Sequence, residues 1–299
     1  MKKITVFTPT FNRSRTLVRT YQSLCRQTSD DFEWLVIDDG STDNTKNIVE
    51  DWIKESVIPI RYIYQENKGV YEARKTAYNN IETELCTCID SDDWMPDDAV
   101  EKILQLWKEK GSDKYAGIIG LDAYEDGTII GKVPEGLTET TMRDYYEVYG
   151  GVGDRKQVYR TDIIKKYPDP PVFEGERFCF DAYKFYLIDK DYKLLVSNDV
   201  YAIVEIGVGG LSDMVWKLRW NNPKGIAYAE RLSMRQTKSK KLAFKYCMHY
   251  IACSIRSKNI YFISESPKKT LTILTLPAGF ALFIYYWYKA RLFYKGKFA

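Results

Sequence analysis

Short apolar runs recur through the first 122 residues, at Ile4 to Phe7, Trp34 to Ile37, Ile60 to Tyr64, Leu85 to Ile89 and Gly117 to Leu121. Between them the apolar positions change to helical spacing. Val100, Ile103, Leu104 and Trp107 fall at i, i+3, i+4 and i+7, which buries one face of a helix. Strands and helices alternating at this short interval predict an α/β fold with a Rossmann-like, mostly parallel central sheet flanked by helices. Ser41-Thr42-Asp43 precedes one helical stretch, and Pro96-Asp97-Asp98 precedes the one that starts at Val100. At such helix starts the carboxylates satisfy orphan amides and complement the dipole.

Beyond residue 122 the pattern loosens. Gly127, Gly131, Gly136 and Gly150-Gly151-Val152-Gly153 mark turns, Phe180 to Ile188 reads as a helix, and Tyr192 to Ile206 is β-rich. Arg235 to Lys258 reads as a basic, aromatic helix. Thr270 to Tyr288 is a 19-residue run without a charge, bracketed by Lys268-Lys269 and by Lys289 and Arg291. A membrane span needs about 20 apolar residues, but Thr272, Thr275, Pro277 and Gly279 weaken this run. Positive charge on both flanks sets no orientation. The favoured reading is a helical pair lying in the membrane interface, ahead of a single C-terminal span or a buried core hairpin. Three segments result: 1–122, 123–230 and a basic helical region, 231–299.

Charge sharpens that division. Residues 231–299 carry 14 Lys or Arg against Glu265 alone, a net +13, so the +3 of the 299-residue chain leaves −10 for residues 1–230. An acidic body with a basic tail points to a polyanionic partner. The uncharged 270–288 run suits an anionic membrane surface, and nucleic acid is not expected.

The single histidine, His249, excludes a His-based triad or zinc site in the acidic body and itself reads as structural or surface. Six cysteines without a CxxC pair suit a reduced, cytosolic setting. Met1-Lys2-Lys3 runs straight into an apolar strand, which does not match a signal peptide.

Polar residues collect where the strands end: Thr8-Pro9-Thr10-Phe11-Asn12, Asp38-Asp39-Gly40-Ser41, Asn67-Lys68-Gly69 and Asp90-Ser91-Asp92-Asp93. In a parallel sheet these loops share one crevice. Asp38 and Asp39 beside Asp90, Asp92 and Asp93 would repel each other unless a cation sits among them. Hard oxygen ligands suit Mg²⁺ or Mn²⁺, which bind through one or two carboxylates while a nucleoside diphosphate fills other positions. A calcium loop is rejected, because Met95 stands where an EF-hand needs glycine. Neither a P-loop nor a GxGxxG sequence is present. Simple turn residues before Gly40 remain the other reading of Asp38 and Asp39, and helix-start residues that of Asp97 and Asp98.

The series Thr8-Pro9-Thr10-Phe11-Asn12-Arg13, Val36-Ile37-Asp38-Asp39-Gly40-Ser41-Thr42-Asp43, Asn67-Lys68-Gly69 with Ala73-Arg74, and Asp90-Ser91-Asp92-Asp93 resembles the family 2 inverting glycosyltransferases of GT-A fold, over about the first 110 residues. The resemblance implies that Thr8, Pro9, Phe11, Arg13, Asp39, Gly69, Arg74, Asp90 and Ser91 hold a nucleotide-sugar, a UDP-sugar being favoured. It implies that Asp92, then Asp93, bind Mn²⁺ or Mg²⁺. Lys75 and Ala77 replace the Asn and Gly of the family's Ala-Arg-Asn-x-Gly pattern. The segment Glu174-Gly175-Glu176-Arg177-Phe178-Cys179-Phe180-Asp181 is similar to the family's acidic segment, which implies Asp181 as catalytic base with Glu176 behind it. An N-cap is the other reading of Asp181.

Gly153-Asp154-Arg155, Gly209-Gly210-Leu211-Ser212 and Asn222-Pro223-Lys224-Gly225 resemble the subgroup that builds bacterial surface polysaccharides. Gly210 to Ser212 would then form a loop near the donor. An acceptor that is a glycan or is linked to polyprenyl phosphate is implied, with the protein cytoplasmic and peripheral on the inner face of the membrane. Two alternatives stand beside this reading. A sugar-phosphate nucleotidyltransferase would need a Gly-rich N-terminal loop, and Thr8 to Arg13 lacks glycine. A non-catalytic nucleotide- or carbohydrate-binding membrane adaptor leaves the aspartates unexplained.

Overall fold

The computed structural model describes residues 2–132, 134–179, 182–205 and 215–294. The N-terminal elements are β1 (Ile4–Thr10), α1 (Leu17–Cys25), β2 (Phe32–Asp39), α2 (Thr45–Glu55), β3 (Ile60–Gln65), α3 (Val70–Asn80), β4 (Leu85–Cys88), α4 (Ala99–Lys110) and β5 (Tyr115–Tyr124). There follow β6 (Glu139–Thr140), α5 (Met142–Glu147), β7 (Arg155–Arg160), α6 (Thr161–Lys166), α7 (Ala182–Ile188) and β8 (Lys193–Val204). Helices complete the chain: α8 (Val215–Asn221), α9 (Pro223–Gln236), α10 (Lys240–Arg256), α11 (Phe262–Glu265) and α12 (Lys269–Tyr294).

One sheet of eight strands runs in the order β3-β2-β1-β4-β7-β5-β8-β6. The pairs β3-β2, β2-β1, β1-β4 and β5-β8 are parallel, whereas β7 is antiparallel to β4 and β5, and β6 to β8. The expected mostly parallel α/β sheet is therefore present and mixed. The apolar runs had not marked β7, whose Arg155-Lys156-Gln157-Val158-Tyr159-Arg160 is largely polar. Compact packing joins Met1–Pro168 with Phe185–Ile206, and separately Asp169–Lys184 with Gly207–Ala299. The sheet passes through residue 122 without a break, so 1–122, 123–230 and 231–299 are divisions of sequence character and not of packing.

Strand alternation builds a core on each face. Ile4, Val6, Trp34 and Val36 meet α1, α2 and α4 residues, while Phe7, Leu35 and Ile37 pack with Ala73 and Ala77 of α3. Both faces of β1 are buried throughout, as parallel strands between helices require. On the first face Tyr21 stacks on Trp52 with ring centroids 4.2 Å apart.

Four expectations change in detail. First, β1 continues past Phe7 to Thr10, because Thr8, Pro9 and Thr10 pair with Val36, Ile37 and Asp38. Pro9 is tolerated there since β4 pairs with β1 only as far as Phe7, leaving that side of the strand without a ladder partner. Second, Asp98 caps α4 without a side-chain bond to an amide. Asp97 instead pairs with Arg26 and Asp98 with Lys102, while the Val100 amide donates to Gln27 Oε1 at 3.0 Å. Third, the helix expected over Arg235 to Lys258 divides into α9 and α10, with the Ser239 hydroxyl capping α10. Fourth, α12 outruns the uncharged stretch and contains Pro277. Phe180 and Ile206, at the edges of α7 and β8, lie outside the described residues.

In the second unit Ile226, Met234, Cys247, Tyr250 and Ile251 form a core of their own. Gly279 of α12 lies so close to α10 that a Cβ there would stand 2.6 Å from Ile251 Cβ.

Candidate active site

β1 and β2 end level, Thr10 beside Asp38. Asp38 and Asp39 are buried and point to opposite sides, as successive strand residues must. Asp38 accepts from the Ser41 amide at 2.8 Å and from the Tyr62 hydroxyl at 2.5 Å. Asp39 accepts from Gln65 Nε2 at 2.7 Å and from the Lys68 and Gly69 amides at 2.9 and 2.7 Å. Both carboxylates are thus satisfied by neutral donors, and they do not need the cation that charge counting along the sequence assigned to them. These bonds tie the ends of β2 and β3 and the loop before α3 together. Gly40 is required at φ +82°, and a Cβ there would meet the Asn67 amide nitrogen at 2.8 Å.

The first strand's end divides between core and surface. The Thr8 hydroxyl is buried and accepts from Trp34 Nε1 at 3.0 Å, and Pro9 is buried too, whereas Phe11 is 45% exposed. Asn12 sits at φ +54°, and its side-chain carbonyl accepts from the Thr42 amide at 2.7 Å, joining this loop to the one after β2. Asp43 locks the same junction. Burial would raise its carboxyl, but hydrogen bonds from Thr45 and Ser14 hold it at about 2.

Two arginines reach the loop after β4. Arg13 stands 3.7 Å from Asp92, and Arg74 of α3 stands 3.6 Å from Asp90. A third cation, Lys156 of β7, lies in the field of Asp122, Asp90 and Asp93. Burial would lower its ammonium; these carboxylates overcome that and hold it above its usual value. For Asp90 the balance mirrors this: burial would raise its carboxyl, while Arg74 and Lys156 hold it below the ordinary value. Asp90 is closely surrounded by protein yet its side chain remains 51% exposed, as on the wall of a cleft.

Asp93 is different. It is 7% exposed, and its Oδ1 accepts from the Glu205 amide at 3.3 Å. Burial, with Asp90 and Asp92 adding to it, pushes its carboxyl up to about 7. The adjoining Trp94 exchanges two backbone hydrogen bonds with Ile203 of β8. Arg19 lies 4.9 Å over the Trp94 ring and pairs with Glu205. Ser91 is buried.

A divalent cation fits one of the two expected ligands. The Asp92 carboxylate is 41% exposed beside the Arg13 guanidinium and can offer an oxygen while substrate phosphates supply others. Asp93 is more recessed, 7% exposed, with Oδ1 accepting from the Glu205 amide. Among the described residues no three His, Cys, Asp or Glu side chains form a preassembled metal cage.

In the second unit, both oxygens of Glu176 accept from the first amides of α9, Lys224 and Gly225, at 2.8 Å each. Asn222 Oδ1 reciprocates, accepting from the Arg177 and Phe178 amides at 2.8 and 3.0 Å. The Asn222-Pro223-Lys224-Gly225 motif therefore clasps the acidic segment, and Glu176 serves as a helix cap. Asp181 and the Gly209-Gly210-Leu211-Ser212 motif lie outside the described residues.

Lys156 and Asp122 are the residues that sequence reasoning missed. Asp122 is 4% exposed, its Oδ1 has no hydrogen-bond partner, and burial raises its carboxyl while Lys156 opposes. Lys156 follows Gly153-Asp154-Arg155 directly, so the only linear signal was its adjacency to that motif. Arg155 itself is buried and donates to the Tyr145 hydroxyl and to the Val152 carbonyl, which knits the preceding loop.

This arrangement defines a GT-A-like transferase fold. The chain superposes on Staphylococcus aureus TarS 1–349 in complex with UDP at a TM-score of 0.59, with 16% identity over 98% of this chain and 92% of that one. For the Pyrobaculum calidifontis mannosyltransferase PcManGT in complex with GDP-Man and Mn²⁺ the TM-score is 0.54, with 17% identity over 93% and 73%. Residues 5–167 match glycosyl transferase family 2, and the chain belongs to that family. Among curated relatives, Streptococcus pneumoniae glycosyltransferase GlyA is 30% identical over 250 residues, covering 78% of this chain and 34% of GlyA. S. aureus poly(ribitol-phosphate) beta-N-acetylglucosaminyltransferase TarP is 32% identical over 41% of this chain and 38% of its own. The matches thus span little more than a third of either relative.

Proposed function

We propose that this chain transfers a sugar, with inversion, from a nucleoside-diphosphate sugar to a hydroxyl of a glycan or polyprenyl-linked acceptor in surface-polysaccharide synthesis. The observation that carries the reading is the set of three cations, Arg13, Arg74 and Lys156, around Asp90 to Asp93 at the strand ends. A diphosphate brings negative charge to such a place, and the arginines can change partners from carboxylate to phosphate. Phe11 offers an exposed ring at the same end of β1 for a nucleobase. UDP is the favoured nucleotide, supported by the likeness to TarS.

In this mechanism Asp92 would hold Mn²⁺ or Mg²⁺ together with the donor, and Asp93 would brace the loop from behind. The cation, when bound, neutralises charge on the leaving diphosphate. Arg13, Arg74 and Lys156 supply fixed positive charge toward the same oxygens. Asp181 takes the proton of the attacking hydroxyl, and the bond from the anomeric carbon to the diphosphate breaks as the new glycosidic bond forms on the opposite face. Glu176 is a positioning residue here, since both its oxygens are committed to α9. The proposed setting is the cytoplasmic side of the membrane, where polyprenyl-linked acceptors are presented.

The test is nucleotide release from a panel of UDP- and GDP-sugars, with Mn²⁺, Mg²⁺ or chelator. Cation-dependent release of UDP from one or a few donors is expected. Failure of every donor to be bound or hydrolysed with either cation would refute the proposal.

A further inference from the structure

Helix α12 wears its side chains inside out. Among the described residues it is the one helix long and apolar enough to cross a membrane. Its buried face is small or hydrogen-bonding: Thr272, Thr275, Gly279, Tyr286 and Ala290. Thr272 Oγ1 lies 3.4 Å from Cys247 Sγ, and the Tyr286 hydroxyl meets His249 Nδ1 at 2.9 Å, so α12 is stitched to α10 at two well-separated points. Leu271 and Leu276 pack on the core of this unit, but five other large apolar residues point away. Leu274 is 74% exposed, Ile273 and Phe280 53%, Ile284 46% and Trp287 44%. On a 3.6-residue period Lys269, Ile273, Phe280, Ile284 and Arg291 share one row, an apolar stripe with a cation at each end. A continuous apolar stripe of this length is unusual on a protein surface left in water.

The charge decides what covers it. Lys240, Lys241 and Lys245 are exposed on α10, and the 231–299 segment carries a net +13. Hydrophobic side chains rimmed by lysine and arginine match an anionic lipid interface, with apolar groups below the headgroups and ammonium groups among them. A full crossing conflicts with the seam. Carrying α12 through the hydrocarbon would draw the α10 lysines in with it or strip Tyr286 from His249.

We propose that α12 lies in the plane of an anionic membrane surface as a one-sided anchor, immersing Leu274, Phe280, Ile284 and Trp287 while Lys269 and Arg291 hold headgroups at its ends. This deepens the reading of a membrane-presented acceptor, but its test does not depend on catalysis. The full chain is floated with preformed vesicles of neutral phosphatidylcholine, or of the same lipid with anionic phosphatidylglycerol. It is compared with the triple variant Leu274→Glu, Phe280→Glu, Ile284→Glu.

The wild-type chain is expected to float with the anionic vesicles and be released by alkaline carbonate. The variant should partition roughly tenfold or more weakly, with unchanged melting and unchanged donor hydrolysis in vesicle-free buffer. Equal flotation of the variant would overturn the proposal. So would carbonate-resistant insertion, which means a span, or a dimer in solution that the triple variant abolishes and that does not float, which means a second copy covers this face. Donor hydrolysis read separately shows whether the catalytic reading has failed instead.

Discussion

Arg13 and Asp92, from loops after different strands, meet at 3.7 Å with their side chains 49% and 41% exposed. In the proposed mechanism a metal and a diphosphate take the place of this pair, and an exposed ion pair adds little to stability. Asp92→Ala is therefore expected to reduce cation-dependent nucleotide release by about 100-fold or more, while changing stability by no more than about 0.5 kcal/mol. Nucleotide assays and urea unfolding check both parts. Wild-type turnover in the variant would remove Asp92 from the mechanism.

Lys156 gives the opposite balance. Without it, Asp90, Asp93 and buried Asp122 lose the cation they share. Lys156→Met should destabilise the fold by on the order of 2–3 kcal/mol, and the loss should grow with pH. Asp93 titrates at about 7 in the fold, above its unfolded value of about 3.9. Protonated Asp93 thus favours the folded state below that value, and stability falls as pH rises from about 4 through about 7. Above pH 7 the bare carboxylates need Lys156 most. Urea unfolding at pH 5 and pH 8 is the measurement; an equal loss at both would show that the lysine acts by packing alone.

Glu176 and Asp181 are separable by what each variant damages. Glu176→Ala removes two bonds at the start of α9 and should lower stability by about 1–2 kcal/mol, with Glu176→Gln recovering part of it. Asp181→Asn should leave the melting temperature near wild type and reduce kcat by on the order of 10²–10⁴. A larger kcat defect in Glu176→Gln than in Asp181→Asn would exchange the two roles.

His249 of α10 faces Tyr286 of α12, 9% exposed, and burial, with Arg219 and Lys245 nearby, lowers its imidazole to about 3. The unfolded value is about 6.5, so the fold holds fewer protons than the unfolded chain between these limits. The resulting stability is complete above pH 6.5 and is lost as pH falls toward 3. From pH 6.5 to pH 5 this amounts to about 2 kcal/mol. In His249→Gln the pH slope of stability over that interval should be shallower by about one proton, and an unchanged slope would contradict the buried neutral imidazole.

Much of the donor half was legible because its signals are local. Strand and helix periods, Gly40, and the short polar runs at the ends of β1 and β2 and after β4 are consecutive residues whose chemistry follows from their own neighbours. β7 was not legible, since its strand character comes from β4 and β5 on either side and not from its six mostly polar residues.

The sequence by itself determined the α/β class, the positions of the polar loops, and the division between an acidic body and a basic, apolar tail. Tertiary structure alone decided which aspartates are free. Asp38 and Asp39 are bonded to Tyr62, Gln65 and backbone amides, Asp93 to the Glu205 amide and Glu176 to α9, while Asp90 and Asp92 keep side chains 51% and 41% exposed beside Arg74 and Arg13. It also brought Lys156 to the cluster and turned Ile273, Leu274, Phe280, Ile284 and Trp287 of α12 outward. The reason is that a carboxylate's availability depends on the donors that folding brings within about 3 Å, and residues distant in sequence supply most of them.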